Sequence, residues 1–472
     1  MLLLCTERYR PYEQPNDIGK YKQRLIAKRH QLLPKVRWRV NNVGHECAVE
    51  MVRIIAPIKQ HLQDPLYKNA YFLMAREAAT AVLGLVFWIV VARFYPPNEV
   101  GLAAALISAM GLLIVFSKLG LGFGLMRYLA KEEDKRGMIN TCLTISGPFS
   151  FLLAIIFVAG LGFWSPALVF VQKDLAILLL FIILTPIYSI LTLQGNAFVG
   201  MRSAKFSFTQ ATILSTLRIP LPIALVSFGV LGIFCSWGIS LCVALIIASF
   251  LFLPRVVAKY YPAPTIKKTT VNDMMHFSAG NYVVEIFEWA PGFLLPVIVI
   301  NVLSAEMGAY FYMAWAIALL LFSIPRSITT SLLAEGSHSP DRFRRDVIRA
   351  IRFTVILIIP AIGVILILGD KLLLLFGSEY SQNGLRLLWI LALSGIPVAI
   401  TASYATVKRV QLKISSIIPI FAFIAIGTLG LSYILMVNMG LLGIGIAWIA
   451  IQITAAAAVG WLVIRKEKWL TA

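Results

Sequence analysis

Charge is scarce in this 472-residue chain: 14% of residues are Asp, Glu, Lys or Arg, while 59% are hydrophobic. Soluble domains carry about 25% charged and about 45–50% apolar residues, so the shortfall excludes an ordinary soluble globular protein. Histidine is rarer still. His30, His45, His61, His276 and His338 are scattered and gather no acid or metal cluster of the kind a membrane acyltransferase would need. The cysteines (Cys5, Cys47, Cys142, Cys235, Cys242) lack zinc or redox spacing. No Gly-rich phosphate loop is present, which argues against an ATP-driven pump. Long hydrophilic connections between the later apolar runs are also missing, and with them the external platform on which a glycan polymerase builds its active site. The pattern calls for no metal and no cofactor, and points away from an enzyme.

What remains is a succession of apolar runs, most of them 20 residues or longer. Each is long enough to cross a hydrocarbon core of about 30 Å as a helix. Lipid satisfies no backbone N–H or C=O group, so these runs must be helical. The expected fold is an all-α integral membrane protein of about twelve spans: 72–95, 100–124, 141–164, 175–194, 207–229, 231–253, 276–301, 307–331, 352–376, 385–407, 415–437 and 441–464.

The net charge of +20 then falls into alternate connections, as at Arg127–Arg136, Arg255–Lys268, Arg342–Arg352, Lys408–Lys413 and Arg465–Lys468. By the positive-inside rule this places both termini in the cytoplasm of a multi-pass plasma-membrane protein. The basic charge thus marks topology rather than nucleic-acid binding. Residues 1–70 form a basic extension whose stretch 21–40 reads either as an amphipathic segment on the anionic leaflet or as a disordered tail.

An internal duplication organises the rest. Leu231-Gly232-Ile233 with Trp237 recurs 211 residues later as Leu442-Gly443-Ile444 with Trp448, and the same offset carries Pro186 onto Pro397 and Gly229 onto Gly440. At an offset of 207, Glu99-Val100-Gly101 recurs as Glu306-Met307-Gly308. Six spans per half insert the same way up, which implies two six-helix bundles, 71–255 and 275–466, related by a pseudo-two-fold axis along the membrane normal. A cytoplasmic linker, 256–274, joins them, a short tail, 467–472, follows, and a central cleft separates the bundles.

The stretch Ala92-Arg93-Phe94-Tyr95-Pro96-Pro97-Asn98-Glu99-Val100-Gly101-Leu102 resembles the first-loop signature of Wzx-like polysaccharide flippases, members of the multidrug/oligosaccharidyl-lipid/polysaccharide (MOP) exporter superfamily. Leu119-Gly120-Leu121-Gly122 with Met126-Arg127-Tyr128-Leu129, and the stretch from Pro397 to Trp448, resemble the same family over about residues 60–466. The resemblance implies a flippase moving a polyprenyl-linked saccharide between leaflets. The long basic N-terminus and the two glutamates of the seventh span depart from the family pattern.

Ionisable groups inside a span are costly unless paired or hydrated, so each is a candidate site. Arg218 falls near the midplane of the fifth span, and Pro220 and Pro222 just after it should break the helix. Its guanidinium suits the phosphate or pyrophosphate of a lipid carrier, or one half of a structural ion pair. Glu285 and Glu288, with Asn281 and Gly292, follow one helical stripe of the seventh span. Adjacent carboxylates there suit a proton or sodium coupling site, or charge compensation of Arg218 across the cleft. Lys118 is expected to snorkel to the interface or to bind phosphate, and Arg326 to border a basic cytoplasmic cavity. A net basic cavity fits a lipid-linked saccharide substrate; a carboxylate-dominated one fits a cation-coupled small-molecule exporter. The transport unit is expected to be a monomer in the bilayer.

Overall fold

The computed structural model describes residues 65–336, 343–411 and 413–466. Among the described residues thirteen principal helices carry the fold: α1 (Pro65–Phe94), α2 (Pro97–Ser117), α3 (Lys135–Ala159), α4 (Leu175–Gly200), α5 (Ala204–Leu217), α6 (Gly229–Ile247), α7 (Lys268–Val302), α8 (Ala305–Gly336), α9 (Phe343–Leu374), α10 (Ser378–Leu393), α11 (Gly395–Val410), α12 (Ile418–Met439) and α13 (Leu441–Lys466). The described residues contain no strand. Most of the basic N-terminal extension, residues 1–64, lies outside the described residues, as does the tail 467–472. The unit discussed below is Asn69–Ala472.

Among the described residues ten helices are long and apolar enough to cross a membrane, and α10 with α11, bent by 43° at Ser394, meets the same test as a pair, with the form of a broken span or a re-entrant loop. The fifth expected span is broken. Helix α5 has only 14 residues, ends at Arg218, and is followed by the short turns Leu221–Ala224 and Val226–Phe228. The first of these turns meets the end of α1, where the Tyr95 hydroxyl donates to the Pro222 carbonyl at 2.8 Å. Gly229 likewise sits against Glu99 at the start of α2. Proline without an N–H breaks the ladder where the sequence places Pro220 and Pro222. Outward faces carry exposed aliphatics such as Ile356, Ile367, Ile434 and Val437, as contact with lipid chains requires.

Helix starts follow local chemistry. Pro97 occupies the first turn of α2, where its missing N–H costs nothing. Asp134 accepts from the Gly137 amide at the start of α3, and Asp174 accepts from Ala176 and Ile177 at the start of α4.

The internal repeat has a geometric counterpart. Gly229 and Gly440, 211 residues apart, share one backbone conformation, φ 55° ψ −134° and φ 57° ψ −139°, ahead of α6 and α13. Positive φ with extended ψ is a region that only glycine enters freely. One turn on, Gly232 and Gly443 each let a preceding backbone approach: an added Cβ would lie 2.1 Å from the Leu225 carbonyl oxygen or 2.5 Å from that of Leu435. The second repeated motif meets itself. Gly101 of α2 packs on Ala305 at the start of α8, and a Cβ on Gly308 would stand 3.9 Å from the Gly101 Cα. Small residues let these helices touch backbone to backbone, the usual basis of helix association in lipid.

Helix α2 forms the seam between the halves, packing along α7 and α8. Its Gly111 faces Phe293, and Gly120, at φ 74°, faces Ser278 and Tyr282. On the side opposite the basic connections, Arg93 donates from Nε to the Leu375 carbonyl at 2.6 Å and from Nη2 to the Leu374 carbonyl at 2.5 Å. It thereby caps the C-terminal end of α9 with a cation, where the helix dipole favours one. Nearby, Asn301 at the end of α7 accepts from the Ala167 amide at 3.0 Å and donates to Ser165 Oγ at 2.9 Å. That side of the seam is therefore tied by hydrogen bonds between the halves.

On the basic side the α6–α7 connection is strapped to α3. Asn140 donates to the Tyr261 carbonyl, the Thr265 amide donates to Thr144, and Lys267 pairs with Asp134.

Candidate functional site

Arg218 caps the broken end of α5, and its guanidinium lies over the Phe87 ring, 5.1 Å from the centroid. Gly84, one turn before Phe87 on α1, leaves room for it; a Cβ there would stand 3.2 Å from Arg218 Nη2. The Nε atom is buried without a hydrogen-bond partner. Tyr188 of α4 and Tyr312 of α8 are its electrostatic neighbours. Among the described residues no carboxylate pairs with it. The expected compensation of Arg218 by Glu285 and Glu288 is thus corrected.

Each glutamate has its own cation instead. Glu285 pairs with Lys118 of α2, a buried ion pair that joins the two halves. Beside it the Tyr282 hydroxyl donates to the Phe116 carbonyl at 2.8 Å. The Lys118 ammonium therefore does not snorkel to the interface but turns to the seam. Glu288 accepts from Arg409 Nη2 at 3.0 Å, within the second half. Helix α11 runs on to Val410, so Arg409, which the sequence places in a loop, sits in its last turn.

Glu285 and Glu288 lie three positions apart on α7, which turns them about 60° apart and towards different neighbours. The two carboxylates are thus engaged by different cations. Asn281, a turn towards the basic side, is half-buried. Arg326 lies in α8, with its side chain outside the described residues.

A cavity of about 160 Å³ opens in the second half between α7, α8, α11, α12 and α13. Glu288 and Arg409 border it, and its walls are aromatic: Trp289, Phe293, Tyr312, Trp315 and Trp448. Trp315 and Trp448 meet edge to face at 4.9 Å, and Trp289 stacks on Phe293 at 5.7 Å. Two polar atoms in this wall are buried without partners, Trp315 Nε1 and Gln452 Oε1. Unmet buried groups are costly and mark places where a polar ligand or water is accommodated.

Tyr312 belongs to both places. Its ring lies 4.8 Å from Trp88 on the Arg218 side and also lines the cavity. Aromatic faces with a few converging polar atoms suit a ligand with both ring surfaces and hydrogen-bonding groups.

Sequence reasoning missed Arg409 as a cavity residue and Arg93 as a clamp. The signal for Arg93 was its place in the first-loop motif; its partners lie 281 and 282 residues away.

Comparison with known proteins gives the fold class. A MATE-family multidrug-resistance transporter of the MOP superfamily, in an inward-facing conformation, aligns with a TM-score of 0.67 at 16% identity, covering 83% of this chain and 95% of its own. The MATE multidrug transporter DinF-BH, solved in complex with a ligand, gives 0.67 at 15% identity, covering 87% and 97%. A MOP-superfamily transporter from Pyrococcus furiosus, described as having a binding pocket of reverse polarity, gives 0.61 at 14% identity, covering 87% and 98%. The protein is thus a multi-pass membrane protein with the fold of the MOP-superfamily transporters. Within that class, residues 66–289 match the family model of polysaccharide biosynthesis proteins, the group that the first-loop motif resembles. No curated protein matches the sequence.

Proposed function

We propose that this protein carries a polyprenyl-(pyro)phosphate-linked oligosaccharide from the inner to the outer leaflet by alternating access, for cell-surface polysaccharide assembly. The observation that carries the reading is Arg218: a cation inside the membrane with a buried, unpartnered Nε and no carboxylate beside it among the described residues. An unpaired guanidinium is costly there, and a phosphate matches its geometry with two parallel hydrogen bonds. From it, an aromatic path through Tyr312 leads to Trp289, Trp315 and Gln452, where sugar rings find stacking faces and unmet polar atoms. Lys118 and Arg326 are assigned supporting contacts to the phosphate as the halves rock apart. Glu285, Glu288 and Asn281 are assigned to the coupling of H+ or Na+. Both termini face the cytoplasm of the plasma membrane, and the monomer is the working unit.

The test is translocation of a fluorescent polyprenyl-pyrophosphate saccharide in proteoliposomes. Wild type should exceed empty liposomes, Arg218→Gln should fall to that background, and Arg218→Lys should keep part of the rate. Unchanged transport by Arg218→Gln contradicts the reading.

A second reading rests on Glu288, whose carboxylate borders an aromatic-walled cavity suited to a planar organic cation. Under it the protein is a cation-coupled exporter of small molecules. Efflux of a fluorescent rhodamine cation that is lost in Glu288→Gln and kept in Arg218→Gln favours this second reading.

A further inference from the structure

A second cavity, of about 370 Å³, lies on the other face of α11, between α9, α11 and α13. Its wall is aliphatic, with Ile351 and Ile358 from α9, Ile400 and Val407 from α11 and Val463 from α13. Two of the hydroxyls that reach it are satisfied within their own helices: Thr354 donates to the Ala350 carbonyl at 2.8 Å and Ser403 to the Ala399 carbonyl at 2.7 Å. A wall that asks for no polar partner does not retain water. Gly460 of α13 deepens the groove, since a Cβ added there would meet nothing within 4 Å.

From Val347 to Ile359 the groove follows α9 for about 18 Å, close to the depth of one leaflet. Its ends differ in charge. At the basic end stand Lys408, whose ammonium lies 5.4 Å from the centre of the Tyr404 ring, and the exposed Arg349 and Arg352 of α9.

We propose that this groove holds one acyl chain of an anionic diacyl phospholipid from the leaflet at the basic ends of the helices, its phosphate set against Lys408, Arg349 and Arg352. Length, apolarity and the charged rim all match such a lipid. A resident bilayer lipid is favoured over the transported molecule because α11 itself separates the groove from the aromatic cavity beside Glu288 and Arg409. Lys408 faces the groove, whereas Arg409, the next residue, faces the cavity and Glu288. The lipid therefore buttresses the helix that positions Arg409, whatever that cavity carries.

The test uses the purified full-length chain in detergent, with native mass spectrometry and thermal unfolding in added phosphatidylglycerol or phosphatidylcholine of identical chains. Wild type should retain one phosphatidylglycerol, at least tenfold more than phosphatidylcholine, and unfold at a higher temperature with it. Gly460→Leu fills the groove and improves helix propensity. It should abolish retention while leaving the lipid-free unfolding temperature unchanged or raised. Lys408→Gln should weaken the preference for the anionic headgroup. Equal retention of the two lipids, undiminished retention by Gly460→Leu, or displacement of phosphatidylglycerol by equimolar polyprenyl phosphate would each overturn the proposal.

Discussion

The two halves share backbone turns at their repeated motifs but not their charges. Gly229 and Gly440 turn alike, and Trp237 and Trp448 each meet an aromatic partner edge to face, Tyr188 at 4.8 Å and Trp315 at 4.9 Å. Yet 211 residues beyond Arg218 stands Leu429, in a 22-residue helix α12 that runs unbroken where α5 stops after 14. At the other repeat offset, 207 residues before Glu285 and Glu288, stand Ala78 and Ala81. The first half thus holds Arg218 at a break with no carboxylate partner among the described residues, while the second lends Glu285 to Lys118 across the seam and pairs Glu288 with Arg409 beside an aromatic cavity. Shared turns and small residues serve folding and seam packing; the unshared charges are the ones the proposed transport cycle uses.

The sharpest way to break this contrast is to give the first half its counterpart's residue. Arg218→Leu should reduce lipid-linked saccharide translocation to background, a loss of at least a hundredfold. Its unfolding temperature should rise or stay level, because a lone intramembrane charge destabilises the fold that carries it. A variant that loses transport and stability together would mark Arg218 as structural.

The paired charges should behave in the opposite way. Lys118→Met or Glu285→Gln each strand a buried partner and should cost about 3–5 kcal/mol, while the double variant should recover much of it. A double-mutant cycle on thermal unfolding in detergent checks this, and additive losses would deny the pairing.

Arg93→Ala should act on conformation more than on stability. Losing two hydrogen bonds to the end of α9 should shift the balance towards opening on the side opposite the basic loops by about 1–3 kcal/mol. Spin labels placed on the outer ends of α1 and α9 would report a longer distance population; an unchanged distribution would remove Arg93 from the closure.

Gly229→Ala should destabilise more than Gly440→Ala. Both carry the backbone strain of about 1–3 kcal/mol, but only at Gly229 does a Cβ press on Glu99, at 3.0 Å. Equal losses in thermal unfolding would show that the contact relaxes freely.

The smallest effect concerns the strap on α3. The Lys267 ammonium and then the Gly137 amide hold the Asp134 carboxyl below its usual range. A depressed carboxylate pKa contributes above its unfolded value, about 3.9, and is lost as pH falls through the lowered one. Local opening of residues 257–267, read from hydrogen exchange corrected for the intrinsic amide rate, should therefore stay constant from about pH 8 to 5 and rise only in stronger acid. Lys267→Met should move that rise to higher pH.

Much of the fold was legible because lipid enforces it. Span length, the alternation of basic loops, the proline break after Arg218 and the Gly-Leu repeats all follow from one-dimensional chemistry. The ion pairs were not. A stripe at helical spacing groups Glu285 with Glu288, but a helix face is wide enough for residues three apart to meet different neighbours. Lys118 and Arg409 read as interfacial because composition shows neither the carboxylate across the seam nor the run of α11 to Val410. Arg93 was unreadable in its role, since carbonyl ends on a distant helix leave no mark in sequence.

The central claim is that an unpaired guanidinium receives the phosphate of the transported lipid. Equilibrium binding of a fluorescent polyprenyl-pyrophosphate saccharide to wild type and Arg218→Leu, in the same nanodiscs, tests it most directly. Loss of charge-assisted hydrogen bonds worth about 1.5–3 kcal/mol should weaken binding by roughly 10- to 150-fold. Equal affinity for the two proteins would contradict the account.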